Sequence, residues 1–170
     1  MSEKGEYLVY GTHGICRVEE VTYPLMKTAD RERLYYVLQP IYANGNKIYV
    51  PVDSLRSNLR RVITKEECGA LLDLIPRLEA LLVDNEKQRE QVYKTAMLSN
   101  DCREWVKVIK TIYLRKHQRM SQGKKMTLVD ERYLRMAQDN LYGEMSFALG
   151  EDKEDMESYI KNHVEQMTAV

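Results

Sequence analysis

The chain has 170 residues, of which 44% are hydrophobic and 31% charged, and its formal net charge at pH 7 is zero. This composition is typical of a globular protein and argues against a disordered or fibrous chain. No apolar run approaches the about 20 residues that a membrane span needs, and the N-terminus lacks the apolar stretch of a signal peptide. We therefore expect a cytoplasmic protein without membrane contact.

Residues 6–52 predict a small antiparallel β unit. The segment carries runs rich in Val, Ile and Tyr at residues 6–11, 15–21, 34–38 and 47–52. The pair Asn44-Gly45 predicts a type I′ hairpin turn before the last run, because both central positions of that turn need positive φ. Four or five short strands without an intervening helix favour an SH3-like or Tudor-like half-barrel.

The three cysteines, Cys16, Cys68 and Cys102, are odd in number and far apart, which argues against a disulfide framework or a CxxC metal site. His13 and Cys16 are close enough in sequence to be weighed as a nucleophile pair or a partial metal site. A third ligand or an orienting carboxylate is absent from their neighbourhood, so a turn followed by a packed strand is the better interpretation. We predict a non-enzymatic protein with buried thiols and no cofactor or metal.

The rest of the chain predicts about five helices. Thr64 and Glu67 form a capping box at the start of the first. Further helix boundaries are indicated at Asp84 or Asn85, Asp101, Gln122-Gly123, Thr127 and Gly150. The expected fold is therefore α+β, with a half-barrel over residues 1–62, a short linker within residues 53–63, and an all-α bundle over residues 63–170.

The charge of the helical segment is polarised. Between Arg103 and Lys125 there are eight basic residues and one acid, a net charge of +7, whereas residues 126–170 carry four bases and ten acids, a net charge of −6. On a helix, Arg103, Lys107 and Lys110 fall opposite the apolar face of Trp105. Such a row predicts phosphate-dominated, nonspecific DNA binding, and its alternative interpretation is an ordinary solvated face.

The motifs at residues 7–18, 34–38 and 47–52 resemble the RNA-polymerase-interacting domain shared by CarD-type regulators and the transcription-repair coupling factor. The helical part is also similar to that of CarD, in residues 121–126 and around Asn140-Leu141 and Gly143-Glu144. The ATPase motor domains that follow the barrel in the coupling factor have no counterpart in this sequence.

This resemblance implies a Tudor-like barrel that docks by strand pairing on the β subunit of bacterial RNA polymerase. It also implies that the helical domain contacts promoter DNA near the upstream edge of the melted region. The predicted polymerase-binding residues are Lys47, Ile48, Tyr49, Val50 and Pro51. The predicted DNA-binding residues are Arg89, Arg103, Lys107, Lys110, Lys124 and Lys125.

Two positions depart from the family pattern. Tyr49 stands where CarD proteins often have an arginine, so an ion pair at that position cannot form. Glu86 stands where CarD proteins that stabilise the open complex carry a tryptophan wedge, and a carboxylate would repel phosphate. The single tryptophan, Trp105, is predicted to be a core residue of the next helix.

The leading prediction is a transcription regulator that binds RNA polymerase and promoter DNA and modulates initiation. The alternative is an adaptor that binds polymerase through its barrel and a second protein through its helices. Charge reversal at Lys107 and Lys110 would abolish DNA association under the first prediction and leave polymerase-dependent effects intact under the second. The sequence leaves the oligomeric state open.

Overall fold

The computed structural model describes residues 1–25, 31–54 and 58–168, with side chains described as far as residue 167. The chain divides into two compact units, Met1–Val62 and Ile63–Val170. The first contains a five-stranded antiparallel sheet and the second contains five α-helices. The predicted α+β fold is confirmed.

The N-terminal unit is an open sheet with the strand order β4-β3-β2-β1-β5. The strands are β1 (Tyr7–Tyr10), β2 (Ile15–Thr22), β3 (Tyr35–Pro40), β4 (Ile48–Pro51) and β5 (Leu59–Arg61). Every neighbouring pair is antiparallel. Among the described strands, β4 and β5 therefore form the two edges of the sheet.

One face of the sheet carries the core of this unit. Successive side chains of a strand point to opposite faces, so alternate residues share the core. The buried core residues are Leu8, Cys16, Val18, Tyr36, Leu38 and Val50. A register shift between Val18 and Glu20 interrupts the pairing of β2 with β3, which bends the strand and increases its twist.

The connection between β3 and β4 differs from the predicted two-residue turn. Neither Asn44 nor Gly45 has a positive φ, which a type I′ turn requires at both positions. The register explains the difference, because β3 continues to Pro40 whereas its pairing with β4 begins at Leu38 and Ile48. The remaining residues form a longer loop, in which the Gln39 side-chain nitrogen donates to the Gly45 carbonyl over 3.2 Å.

Strand β5 lies in the segment predicted as a linker. Its three residues pair with β1 in the register Leu8 with Arg61, Val9 with Arg60 and Tyr10 with Leu59. A three-residue strand with two adjacent arginines has too few alternating positions to show a strand period. Residues 55–57 of the predicted linker lie outside the described residues.

The C-terminal unit consists of α1 (Lys65–Leu74), α2 (Arg89–Leu98), α3 (Cys102–Ser121), α4 (Leu128–Leu149) and α5 (Met156–Thr168). The predicted capping box is confirmed, since Thr64 Oγ1 accepts from the Glu67 N–H and the Glu67 carboxylate accepts from the Thr64 N–H. Asn85, Asp101 and Thr127 also act as side-chain caps. None of the described helices is both long and apolar enough to cross a membrane.

Trp105 is fully buried in this unit, which confirms its predicted core position. Its indole Nε1 donates to the Met97 carbonyl over 3.3 Å, so the polar edge of the ring is satisfied. Helices α3 and α4 pack against each other, with α2 against both and α1 and α5 against α4. Helix α3 thus contributes to the core of this unit, and it carries more basic residues than any other helix.

Candidate functional site

The outer edge of β4 presents backbone groups of Tyr49. In an antiparallel pair, opposite residues alternate between hydrogen-bonded and non-hydrogen-bonded positions. The Val52 N–H donates to the Leu34 carbonyl over 2.9 Å, which places the next residue pair, Tyr35 with Pro51, in the non-hydrogen-bonded class. By the same alternation, Tyr49 opposite Val37 is also non-hydrogen-bonded, and its N–H and carbonyl point away from β3.

This edge is short because it ends at Pro51. Proline has no N–H to offer a neighbouring strand. The Pro51 carbonyl accepts the Ser54 N–H over 3.2 Å and is already engaged in a turn. No described strand pairs with the outer side of β4, so Tyr49 is the strand residue that presents both a donor and an acceptor there.

The side chains of β4 alternate between core and surface. Val50 is buried and Ile48 packs partly against the same core, whereas Lys47 is exposed and Tyr49 is 43% exposed. An open cleft of about 600 Å³ lies beside this strand. Its lining consists of Thr12, His13, Pro40, Ala43, Gly45, Asn46, Lys47, Ile48 and Tyr49. A bound strand at the β4 edge would therefore find a cleft within reach of its side chains.

His13 and Cys16 have different surroundings in this unit. The His13 ring is exposed and stacks on Tyr10, with ring centroids 5.2 Å apart. Cys16 is buried in the sheet core, and its thiol lies 3.6 Å from the Gly14 carbonyl. Burial raises the pKa of the Cys16 thiol to about 11, so the thiol stays protonated at neutral pH. Cys16 is a core residue, as the sequence indicated.

The middle of the predicted basic stripe on α3 is engaged within the helical unit. The Lys110 Nζ donates to the Leu78 carbonyl over 2.7 Å, and burial lowers the pKa of this lysine. Lys107 forms a 2.9 Å ion pair with Glu104, and both side chains are 30% exposed. DNA contact by Lys107 and Lys110 remains a prediction, and the structure shows that both amines already have partners in the chain.

Arg103 lies at the opposite end of α3 from the remaining predicted residues. Its side chain is 62% exposed and approaches Asp101, the helix N-cap, at 3.7 Å. Arg119 is sixteen residues further along, which corresponds to about 24 Å at 1.5 Å per residue. Arg103, Lys107 and Lys110 therefore lie in the first half of α3, whereas Lys124 and Lys125 follow its C-terminus.

Lys124 and Lys125 are exposed beyond the C-terminus of α3. The helix ends in a Schellman motif, in which the Gly123 N–H donates to the Met120 carbonyl and the Lys124 N–H donates to the Arg119 carbonyl. Gly123 has φ +71°, a conformation that glycine adopts without strain. The Arg119 Nε donates to the Lys125 carbonyl over 2.7 Å, which fixes the backbone that carries both lysines.

Arg89 is largely buried and is bound by two neighbours. Its guanidinium makes a bidentate ion pair with Glu86, with Nη2 to Oε1 at 2.6 Å and Nε to Oε2 at 2.8 Å. Its Nη1 donates to the Tyr93 hydroxyl over 3.1 Å. The Arg89 side chain is 14% exposed, so a DNA contact by Arg89 remains a prediction that requires these bonds to rearrange.

Sequence reasoning missed the residues behind this pair. Asp130 has no exposed side-chain surface, accepts the Tyr93 hydroxyl at 2.9 Å and lies 3.3 Å from Arg115. Arg115 also reaches Glu86, at 3.2 Å. The sequence held one available signal, because Asp130 follows the α4 cap Thr127 by three residues and its N–H donates to the Thr127 hydroxyl.

Within the described part of the chain, no group of three or more His, Cys, Asp or Glu side chains is arranged to hold a metal ion. The geometry leaves two candidate functional surfaces. One is the β4 edge in the N-terminal unit, and the other is formed by the basic residues around the end of α3 in the helical unit.

Residues 3–63 match the family model of the CarD-like/TRCF RID domain. The match covers the five-stranded sheet and ends before α1. No curated protein matches the chain.

Proposed function

We propose that this protein is a non-enzymatic, bacterial, cytoplasmic regulator of transcription initiation, because residues 3–63 match the CarD-like/TRCF RID family of RNA-polymerase-interacting domains. The N-terminal unit binds the β subunit of RNA polymerase through β4. The helical unit binds promoter DNA through phosphate contacts made around the C-terminus of α3.

The open edge of β4 is the observation that carries the polymerase half of this proposal. A strand added to a sheet edge gains main-chain hydrogen bonds, and pockets for alternate side chains provide specificity. Tyr49 directs both of its backbone groups outward, and the cleft that includes His13 and Lys47 lies beside it. A partner strand would therefore find both elements of recognition at this edge.

The exposed lysines after α3 support the DNA half. Lys124 and Lys125 stand on a backbone fixed by the Schellman motif, and the described residues include no ion-pair partner within 4.0 Å of either amine. Amines that are hydrated in the free protein can replace counterions along a phosphate backbone. Arg103 is exposed as well, whereas Arg89, Lys107 and Lys110 bind groups of the chain itself.

The polymerase half is tested by titrating the full-length chain against purified bacterial RNA polymerase and against the isolated lobe of its β subunit. Saturable binding to both, with similar affinity, is expected. Binding to the polymerase without binding to the lobe would indicate that the contact lies outside this lobe. Binding to neither would contradict the proposal.

The double substitution Lys124→Ala/Lys125→Ala tests the DNA half. We expect weaker binding to duplex DNA at low salt, with a slope of log affinity against log salt that is shallower by about 2, because each phosphate contact contributes roughly 0.9 to that slope. The measurement is fluorescence anisotropy of a labelled duplex titrated with the full-length chain at several salt concentrations.

The matched control is Lys65→Ala/Lys161→Ala, which removes the same charge from exposed lysines of α1 and α5. This variant is expected to keep the wild-type slope. An equal loss in both variants would show that net charge, rather than the surface after α3, determines DNA binding.

A protein-protein adaptor is the second candidate function. The intramolecular partners of Arg89, Lys107 and Lys110 favour it, because those side chains are not available to phosphate without rearrangement. Full-length protein that binds polymerase but shows no salt-dependent DNA binding would support the adaptor and exclude the DNA half.

A further inference from the structure

Two arginines from different helices converge on one carboxylate, that of Glu86. Arg89 at the start of α2 binds Glu86 in a bidentate manner, with distances of 2.6 and 2.8 Å. Arg115 of α3 reaches the same carboxylate through Nη2 at 3.2 Å. Planar bidentate contact and a second guanidinium are the features with which proteins recognise phosphate and carboxylate groups.

Buried groups behind them hold both arginines in place. Arg115 lies 3.3 Å from both oxygens of the fully buried Asp130. The Tyr93 hydroxyl donates to Asp130 and accepts from Arg89, which joins the second arginine to the same anchor. The Arg89 and Arg115 side chains are 14% and 19% exposed and are already held in place. Binding of a ligand would therefore immobilise them at little further cost in conformational entropy.

The carboxylate of Glu86, in contrast, faces solvent. Its side chain is 66% exposed, so an external oxyanion can reach the place where it lies. The hydrogen bond from Arg89, together with the charges of Arg89, Arg115 and Arg119, lowers the pKa of Glu86 to about 2. Glu86 is therefore ionised at neutral pH and leaves the arginines by rotating away rather than by protonation.

We infer that Arg89 and Arg115 form a two-arginine site for a phosphate oxyanion and that Glu86 is the internal occupant of this site. The inference rests on the proposed DNA-binding function and deepens it, because it makes Glu86 a competitor of the DNA phosphate. An attached carboxylate competes at a high effective concentration, and phosphate binds only the fraction of molecules in which Glu86 has moved aside.

The location of the site fits this role. Arg119 lies one turn after Arg115 on the same side of α3, and its Nε donates to the Lys125 carbonyl. The arginine pair is thus adjacent to the segment that carries the exposed lysines 124 and 125. A phosphate backbone lying on those lysines has the two-arginine site as its neighbour, and Glu86 sets how much of that site the DNA can use.

Glu86→Gln is the substitution that tests the inference, with Glu90→Gln as the matched control. Glu90 also pairs with an arginine, Arg132, and its side chain is 51% exposed, so the control removes an equal charge from the same helical region. The probes are a labelled DNA duplex at several salt concentrations and inorganic tripolyphosphate measured by calorimetry, both with the full-length chain.

For Glu86→Gln we expect about tenfold tighter DNA binding at low salt, a salt slope steeper by about 1, and tighter tripolyphosphate binding. Glu90→Gln is expected to change the affinity less than about twofold. Equal gains in the two variants, or no gain in Glu86→Gln, would overturn the inference.

The variant Glu86→Gln/Arg89→Lys separates the site from a general charge effect. Lysine keeps the charge and loses the bidentate geometry, so we expect this variant to lose the gain in tripolyphosphate affinity. Retention of the gain would overturn the inference. If no variant binds DNA but Glu86→Gln gains tripolyphosphate affinity, the phosphate site stands and the DNA-binding function fails.

Discussion

Replacing Tyr49 with proline is expected to weaken binding to RNA polymerase between about tenfold and one hundredfold. The substitution removes the N–H that β4 directs outward and leaves the acceptor of the partner strand without a donor. An unsatisfied buried acceptor costs about 1–3 kcal/mol, which corresponds to this range of affinity. The measurement is the dissociation constant of the full-length variant for purified polymerase.

The sheet itself is expected to tolerate this proline. Tyr49 lies opposite Val37 in a non-hydrogen-bonded pair, so its N–H takes no part in the ladder with β3. Pro51 already occupies the equivalent position two residues further along the same strand. An unchanged far-ultraviolet circular dichroism spectrum and an unchanged thermal unfolding midpoint would verify that the variant is folded.

Tyr49→Ala is the control, because alanine removes the aromatic side chain and keeps the backbone N–H. We expect a smaller loss of affinity than for proline if main-chain pairing is the main contribution. Wild-type affinity in the proline variant would show that β4 is not the docking edge. Equal losses in the two variants would assign the contact to the Tyr49 side chain.

Asp130→Asn is expected to destabilise the helical unit by roughly 3 kcal/mol. Asp130 is fully buried and accepts from Tyr93 and Arg115, so the neutral amide leaves two arginines with Glu86 as their remaining carboxylate partner in this network. Removing one partner of a buried charge pair typically costs about 3–5 kcal/mol, and we expect the lower end of this range because Arg115 keeps the exposed Glu86 carboxylate as a partner. Urea unfolding followed by the fluorescence of Trp105, the single tryptophan, reports on this unit alone.

Glu90→Gln provides the comparison for stability as well. The Glu90 pair with Arg132 has both side chains more than half exposed, and such surface pairs contribute about 1 kcal/mol or less. A similar small effect for Asp130→Asn would mean that the buried network is not a determinant of stability, and that the arginines of the proposed phosphate site are held by other contacts.

Local sequence signals were sufficient for much of the fold. The capping box of Thr64 and Glu67 and the break at Gln122-Gly123 depend on residues within five positions of each other, and the structure contains both. The core position of Trp105 followed from the helical period of its apolar neighbours. Each of these features has its physical cause within one or two helical turns.

The features that sequence reasoning missed depend on distant partners. Lys110 is bound by the Leu78 carbonyl, thirty-two residues away, so its spacing on α3 gives no sign that the amine is occupied. Glu86, three residues before the start of α2, meets Arg115 of α3 through tertiary packing, which no local pattern reports. The prediction of a type I′ turn at Asn44-Gly45 was wrong for the same reason, because the length of β3 is set by its pairing with β2.

The short edge of β4 also bears on solubility and on the choice of partner. A long, flat edge strand joins indiscriminately with other edges and promotes aggregation. Here Pro51 lacks a donor and its carbonyl is occupied by Ser54, so another copy of the strand would gain few main-chain bonds. A partner must therefore supply complementary side chains in addition to its backbone, which makes this edge a selective one.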